Sequence, residues 1–152
     1  MSSQDSDRAA ESWASLPAVA RTMRGNRRRD TRPELEIRRR LHALGYRYRV
    51  DFAPGANKRR RADIVFTRKR LAVFIDGCFW HSCPEHSRPP ATHADYWQPK
   101  LRRNAERDRE TTAMLQAEGW TVLRIWEHTD AADAVAQIRS TLTRLAAGPA
   151  EP

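Results

Sequence analysis

The stretch Ala62-Asp-Ile-Val-Phe66-Thr-Arg-Lys-Arg-Leu71-Ala-Val-Phe-Ile75 decides the fold of this chain. Its two apolar runs, residues 62–66 and 71–75, have the length and the composition of short strands. The second run has the continuous apolar character of a strand that is buried on both faces. Only the four residues 67–70 separate the two runs, so we predict a β-hairpin here.

A helix is predicted before the hairpin. Thr31 has the position of an N-cap, Pro33 falls in the first turn, and Glu34 stands at the spacing of a capping box. The capping box is sufficient to explain Glu34 on sequence grounds. Ile37, Leu41 and Leu44 then follow at helical spacing, and Gly45 ends the pattern.

The remaining elements give an α/β fold. Residues 46–50 alternate like a strand, residues 97–118 have the pattern of a long helix ended by Gly119, and residues 120–126 are again strand-like. Asp130 caps a last helix whose apolar stripe is Val135, Ile138, Leu142 and Leu145. The order helix, three strands, helix, strand, helix predicts a mixed sheet flanked by helices.

Charge and length indicate a single domain that binds a polyanion. The chain has 152 residues and a net charge of +9, and residues 21–70 alone carry 18 basic and 5 acidic side chains. Such a block favours nucleic acid as the partner. We expect a flexible leader over 1–20, one domain over 21–147 with a basic arm over 21–32, and a tail over 148–152. No apolar run approaches the roughly 18 residues of a membrane span.

Asp63 is the first candidate for chemistry, because it lies inside a predicted strand directly after a basic turn. It is either an edge-strand carboxylate that faces water or a Mg²⁺ ligand. Hard cations prefer carboxylate and carbonyl oxygens, and such ions assist phosphodiester cleavage. A metal-binding Asp beside consecutive basic residues is what a nuclease requires.

The densest group of metal-type ligands is the Cys78-x4-Cys83-x2-His86 stretch. Three such ligands on one loop predict a structural zinc site and not a disulfide, and they fit a reducing, intracellular setting. The fourth ligand is His128, which directly follows a predicted strand, or alternatively His93. The competing interpretation is a loop of solvated histidines and free thiols.

Asp108 and a pair of aromatic residues complete the candidates. Asp108 falls on the core-facing stripe of the long helix, so we expect a His partner or a local ion pair with Arg103, Arg107 or Arg109. For Phe79 and Trp80 there are two interpretations: one ring packs inward and the other shields the zinc, or the pair forms an aromatic wedge that enters a base stack, with Tyr96 and Trp97 as additions.

Together these residues resemble the very-short-patch mismatch repair endonuclease (Vsr) family. The resemblance extends from about residue 21 to 128, and its Gly-Cys-Phe-Trp-His segment is highly specific. Its motifs here are Met23-Arg24, Arg29-Asp-Thr-Arg-Pro-Glu34, Arg61-Ala-Asp63-Ile-Val-Phe, Asp76-Gly-Cys-Phe-Trp-His81, Pro90-Ala-Thr92, Trp97, Asn104-Ala-Glu-Arg-Asp108 and Gly119-Trp-Thr-Val-Leu-Arg-Ile-Trp-Glu127.

The resemblance implies a restriction-endonuclease-like fold of the PD-(D/E)xK superfamily with a structural zinc. It implies a nick 5′ to the thymine of a T:G mismatch that arises from deaminated 5-methylcytosine. The implied partner is double-stranded DNA, with no membrane and no small-molecule substrate. The implied state is a monomer in the bacterial cytoplasm, on the nucleoid.

The resemblance also implies roles for individual residues. Asp63 and the main-chain carbonyl of Ile75 would bind Mg²⁺, His81 would be the general base with Asp108 as its partner, and Glu34 would be an accessory acid. The implied zinc ligands are Cys78, Cys83, His86 and His128. The implied DNA contacts are Met23, Arg24, Phe79, Trp80, Trp97 and Asn104, with the basic arm as a clamp.

Two positions depart from the family pattern. The lysine that usually follows the second metal ligand in such nucleases is absent, and the family uses the histidine instead; the fourth zinc position carries His128 where a relative can have Cys. Asp76 has no assignable role. The alternative functions are a same-fold restriction-type or junction-resolving nuclease and a zinc-stabilised DNA-binding module without catalysis. The combination of Asp63, His81 and Asp108 favours the enzyme, because a binding module has no use for it.

Overall fold

A computed structural model describes residues 31–78, 83–85 and 93–148. Across these ranges the elements run in the predicted order: α1 Arg32–Ala43, β1 Arg49–Phe52, β2 Ala62–Phe66, β3 Leu71–Asp76, α2 Ala94–Ala117, β4 Thr121–Trp126 and α3 Ala131–Ala147. The leader, most of the basic arm and the tail beyond Gly148 lie outside these ranges. In the part of the chain that is described, no helix is long and apolar enough to cross a membrane.

The sheet is mixed, as the sequence predicts. Its strand order is β1-β2-β3-β4. β2 pairs with both β1 and β3 in antiparallel fashion, which confirms the hairpin, and β4 lies parallel to β3. The long helix α2 provides the crossover that a parallel pair requires.

The first strand begins later than the sequence predicts, at Arg49 instead of residue 46. Tyr46 and Tyr48 place their rings edge-on against Phe66. The Tyr48 hydroxyl donates a 2.6 Å hydrogen bond to the main-chain oxygen of Arg38 in α1. This segment therefore packs between sheet and helix before the chain enters the ladder.

Each face of the sheet has its own apolar core. On one face α1 and α3 pack against β2, β3 and β4, with the buried residues Ile37, Leu41, Ile64, Phe66, Leu71, Val73, Ile125, Ala134, Val135, Ile138 and Leu142. The second cluster is smaller and contains Leu115 of α2 together with Ala62, Val65, Ala72 and Phe74. Helix α2 thus covers the face of the sheet on which Asp63 and Asp76 alternate with apolar residues.

Glycines end two helices as predicted. Gly45 and Gly119 have φ values of 94° and 90°, which side chains with a Cβ rarely adopt. In both places the main-chain N–H of the residue after the glycine donates a hydrogen bond to the carbonyl five residues earlier, from Tyr46 to Leu41 and from Trp120 to Leu115. This is the Schellman arrangement, which satisfies carbonyls at the end of a helix.

Candidate active site and metal cluster

Asp63 lies at the point where β2 and β3 stop pairing. Paired positions run from Phe66–Leu71 to Ile64–Val73. One residue beyond, Oδ2 of the half-buried Asp63 accepts a 2.7 Å hydrogen bond from the main-chain N–H of Ile75. The Asp63 carboxylate is therefore adjacent to the main chain of Ile75. These two residues are the ones expected to bind Mg²⁺. Binding of the ion itself stays a prediction.

Asp76, which has no role on sequence grounds, is part of a buried ion-pair network. The residue is 6% exposed. Both of its carboxylate oxygens accept hydrogen bonds from Nη1 of Arg124 in β4, at 3.1 and 3.2 Å. Burial of an unpaired carboxylate is unfavourable, and the ion pair with Arg124 offsets this cost for Asp76.

Arg124 also contacts α2 and the sheet beneath it. Its Nη2 donates to the main-chain oxygen of Asp108 at 3.1 Å, and its Nε donates to Oγ1 of Thr112 at 2.9 Å. The guanidinium lies 4.4 Å from the centre of the Phe74 ring. Sequence reasoning missed this residue, although an Arg in the middle of an apolar strand was a usable signal.

Asp108 is half-buried on α2, as its place on the core-facing stripe predicts. Its Oδ1 lies 3.8 Å from Nη1 of Arg124, so one partner comes from β4. Asn104, one helical turn earlier, is also half-buried. His81 lies outside the described residues, and its pairing with Asp108 stays a prediction.

The capping-box explanation of Glu34 is wrong. Thr31 is the N-cap of α1 but makes no side-chain capping hydrogen bond, so the reciprocal pair is not formed. Glu34 is instead 2% exposed and accepts a 3.3 Å hydrogen bond from Arg38 one turn later. The helix turns Glu34 inward on the same stripe as Ile37 and Leu41, and the sequence pattern did not reveal that burial.

Cys78, Cys83 and His128 form one cluster. Their ligand atoms all lie within 4.8 Å of one another. Nδ1 of His128 is 3.2 Å from Sγ of Cys78 and 3.7 Å from Sγ of Cys83, and the two cysteines form no disulfide. The parallel β3–β4 pair brings this about, because Cys78 follows β3 and His128 follows β4 at the same edge of the sheet.

Neighbouring groups hold this cluster in place. The N–H of Cys83 bonds to the carbonyl of Cys78 at 3.0 Å, and the N–H of Cys78 bonds to Oε1 of Glu127 at 3.0 Å. Nε2 of His128 lies 3.7 Å from the carboxylate of Glu85, on the ring edge opposite the cysteines. Burial, followed by the contact with Cys83, raises the pKa of the metal-free Cys78 thiol to about 11.

The alternative fourth ligand is His93. It is the N-cap of α2 with φ 62°, and the Cys/His group found among the described residues does not include it. His86, the third ligand of the sequence motif, lies outside the described residues. Thus the geometry brings three of the four expected zinc ligands together, and the metal itself stays a prediction.

Trp97 is enclosed by the protein. It is 4% exposed, and its ring contacts that of Tyr96 edge-on with 4.9 Å between centroids. A wedge that enters DNA must present its ring on the surface, so Trp97 would have to leave this packing first. Met23, Arg24, Phe79 and Trp80 lie outside the described residues.

Comparison with known proteins agrees with the resemblance. The family described as DNA mismatch endonuclease Vsr matches residues 18–86. The chain is 53% identical over 131 residues to the type II nicking enzyme V.NaeI of Lentzea aerocolonigenes, which covers 85% of this chain and 79% of that protein. It is 37% identical over 113 residues to the DNA mismatch endonuclease Vsr of Escherichia coli, which covers 71% and 68%.

Proposed function

Because this chain belongs to the Vsr family of DNA mismatch endonucleases, we propose that it nicks double-stranded DNA 5′ to the thymine of a T:G mismatch, with Mg²⁺ as cofactor. Family membership supports the reaction class, a DNA endonuclease. The names of relatives such as V.NaeI, a type II nicking enzyme, support cleavage of one strand. The mismatch, its origin in deaminated 5-methylcytosine and the metal are part of our proposal.

The observation that carries the proposal is the carboxylate of Asp63 beside the main chain of Ile75. A carboxylate oxygen has lone pairs beyond the one that accepts the Ile75 N–H, so the same group can also bind a cation. The Ile75 carbonyl would supply a second hard ligand. Mg²⁺ bound there would polarise the scissile phosphate and stabilise the leaving oxygen.

Side chains of the protein would carry out the proton transfer. His81 would accept a proton from the attacking water on one imidazole nitrogen, while Asp108 would orient the ring through the other. Support comes from Asp108, which is half-buried on α2 and is linked through Arg124 to Asp76 at the end of β3, the strand that leads into the His81 loop. Glu34 would act as an accessory acidic residue.

The cysteine cluster would hold a structural Zn²⁺ through Cys78, Cys83, His86 and His128. The donor set fits, because two sulfurs and an imidazole nitrogen converge and zinc prefers such ligands. Glu85 on the far side of the His128 ring is the kind of carboxylate that orients a metal-bound imidazole. The site would anchor the loop between Cys78 and Cys83, which contains His81.

DNA would bind across the basic part of the chain. Residues 21–70 carry the charge excess that phosphate contacts require, and Arg59 and Arg61 are exposed immediately before the strand that holds Asp63. The DNA strand and the mismatch would then be contacted by the basic arm and by Met23, Arg24, Phe79, Trp80, Trp97 and Asn104. We propose that the protein acts as a monomer on nucleoid DNA.

One assay tests the proposal. Duplexes that contain T:G, A:T or G:C at one position are labelled on either strand and incubated with excess protein, with Mg²⁺ or with a chelator. We expect a single nick in the thymine strand of the T:G duplex and only with the metal. Cleavage of the matched duplexes would indicate a restriction-type enzyme, and binding without any cleavage would indicate a non-catalytic module.

A further inference from the structure

Arg124 connects three elements around the candidate active site. It contacts Asp76 at the end of β3, belongs to β4 itself, and reaches Asp108 and Thr112 on α2. We propose that Arg124 is a positioning residue, which sets the distance between the Asp108 carboxylate and the loop that begins after Asp76. This inference rests on the proposed function, because it assigns Arg124 a part in that reaction.

The contacts of Arg124 with α2 fix the helix in two directions. The main-chain oxygen of Asp108 and the hydroxyl of Thr112 are one helical turn apart, and different nitrogens of one guanidinium bind them at 3.1 and 2.9 Å. A planar group with donors at both ends constrains the height and the rotation of the helix together. Among the described residues, the member of the apolar cluster on this face that comes from α2 is Leu115, seven residues further along.

The contacts of Arg124 with Asp76 fix the position of the loop that begins after β3. Asp76 is the last residue of β3, and its main-chain oxygen accepts a 2.9 Å hydrogen bond from the N–H of Glu127. Gly77 and Cys78 follow at once and lead into the segment that contains His81. Arg124 therefore ties the start of this loop and the Asp108 turn of α2 to one rigid group.

The charges are arranged unequally. Arg124 lies between two carboxylates, with Asp76 at 3.1 Å and Asp108 at 3.8 Å. The side chain of Asp76 is 9% exposed and that of Asp108 is 24% exposed. Asp76 is the nearer and more buried counter-ion of Arg124, whereas Asp108 is held at hydrogen-bond distance through its main-chain oxygen.

The alternative is that Arg124 only compensates the buried charge of Asp76. Two variants separate these roles. Arg124→Leu alone removes the ion pair of the buried Asp76 with Arg124 and should lower stability. The double variant Asp76→Leu with Arg124→Leu removes both charges together, and replacement of a buried ion pair by apolar groups is often neutral for stability. Arg144→Leu, on the exposed side of α3, is the matched control.

The readouts are thermal unfolding, T:G duplex affinity and the single-turnover nicking rate at saturating DNA and Mg²⁺. We expect the double variant to unfold and bind DNA like the parent but to nick on the order of a hundredfold more slowly, the effect of a displacement of about 1 Å in a catalytic group. In an Asp108→Asn background the same change should have little further effect.

A double variant that unfolds like the parent and nicks at the parent rate would overturn the inference. So would a full additional loss in the Asp108→Asn background, because Arg124 would then act independently of Asp108. Neither outcome contradicts the proposed function, which fails only if the parent protein does not nick the T:G duplex. If the double variant unfolds early, Arg124→Lys decides, since a positioning role predicts slow nicking with normal DNA affinity.

Discussion

The carboxylate of Asp63 accepts a 2.7 Å hydrogen bond from the main-chain N–H of Ile75, immediately beyond the last paired positions of β2 and β3. A side chain thus takes the place of a main-chain acceptor where the ladder ends. Asp63 has a structural contact and a proposed chemical role in the same group. Substitutions at this position have to separate the two.

Asp63→Asn should abolish nicking and leave T:G binding nearly unchanged. An Asn side-chain oxygen can still accept the Ile75 N–H, whereas it lacks the charge that a Mg²⁺ ligand supplies. Asp63→Ala should also lose activity but should be less stable by about 0.5–1.5 kcal/mol, since it lacks the acceptor as well. The measurements are single-turnover nicking, duplex affinity and urea unfolding.

The control for this pair is Asp133→Asn, the same chemical change at an exposed position in the first turn of α3. It should nick at the parent rate. Full activity of Asp63→Asn would remove the residue from the proposed mechanism.

Glu34→Gln removes the negative charge of the buried pair with Arg38 and should lower stability by up to about 1.5–3 kcal/mol, the range for a hydrogen bond to a charged group. Glu34 is 2% exposed and Arg38 15% exposed, so water replaces little of what is lost. Glu36→Gln is the matched control, because Glu36 and Arg40 form the same i, i+4 pair with 47% and 48% exposure. That variant should lose less than about 0.5 kcal/mol. Equal losses in urea unfolding would contradict the prediction.

Sequence patterns were sufficient for features that depend on local order. The apolar runs around residues 67–70 predict the hairpin, and the order of the elements predicts a mixed sheet, in which the helix between the last two strands forms the crossover. The parallel pairing then follows, and with it the meeting of Cys78 and His128 at one edge. Helix ends were predictable wherever a glycine provided the Schellman geometry.

Contacts between elements were not predictable in the same way. Asp76 and Arg124 are 48 positions apart, and no periodicity indicates that one neutralises the other. Glu34 was misinterpreted because a short motif and a buried ion pair place Glu at the same position after a Thr. Which of the two occurs depends on how α1 is rotated against the sheet, and only tertiary packing decides that.

Trp97→Ala should lower stability by about 3–5 kcal/mol, as truncation of a buried aromatic residue does. The ring is 4% exposed and packs edge-on against Tyr96, so its removal leaves a cavity. If Trp97 also enters DNA as the wedge, the variant should lose its preference for T:G over A:T duplexes more than its overall affinity. Urea unfolding and competition binding check the two effects separately, and Gln98→Ala, an exposed neighbour, is the control.

The basic block 24–32 should determine the salt dependence of binding to any duplex. Each phosphate contact that is lost should lower the slope of log affinity against log salt by about 0.9. Replacement of Arg27, Arg28 and Arg29 by Gln should therefore flatten the slope for matched and mismatched DNA alike. Replacement of Arg139, Arg144 and Lys100 is the charge-matched control. A change restricted to the T:G duplex would show that the block reads the mismatch.

The metal cluster gives the last prediction. The purified protein should contain one zinc ion per chain, bound at about 2.3 Å to sulfur and about 2.1 Å to nitrogen. Removal by a chelator should lower the unfolding temperature and stop nicking even with Mg²⁺ present, because the loop between Cys78 and Cys83 loses its anchor. His128→Gln should reproduce this effect, whereas His42→Gln, at an exposed position of α1, should not.

A protein without stoichiometric zinc, or with Cys78 and Cys83 joined in a disulfide, would refute the site. Zinc retained in His128→Gln but lost in His93→Gln would assign the fourth ligand to His93 instead.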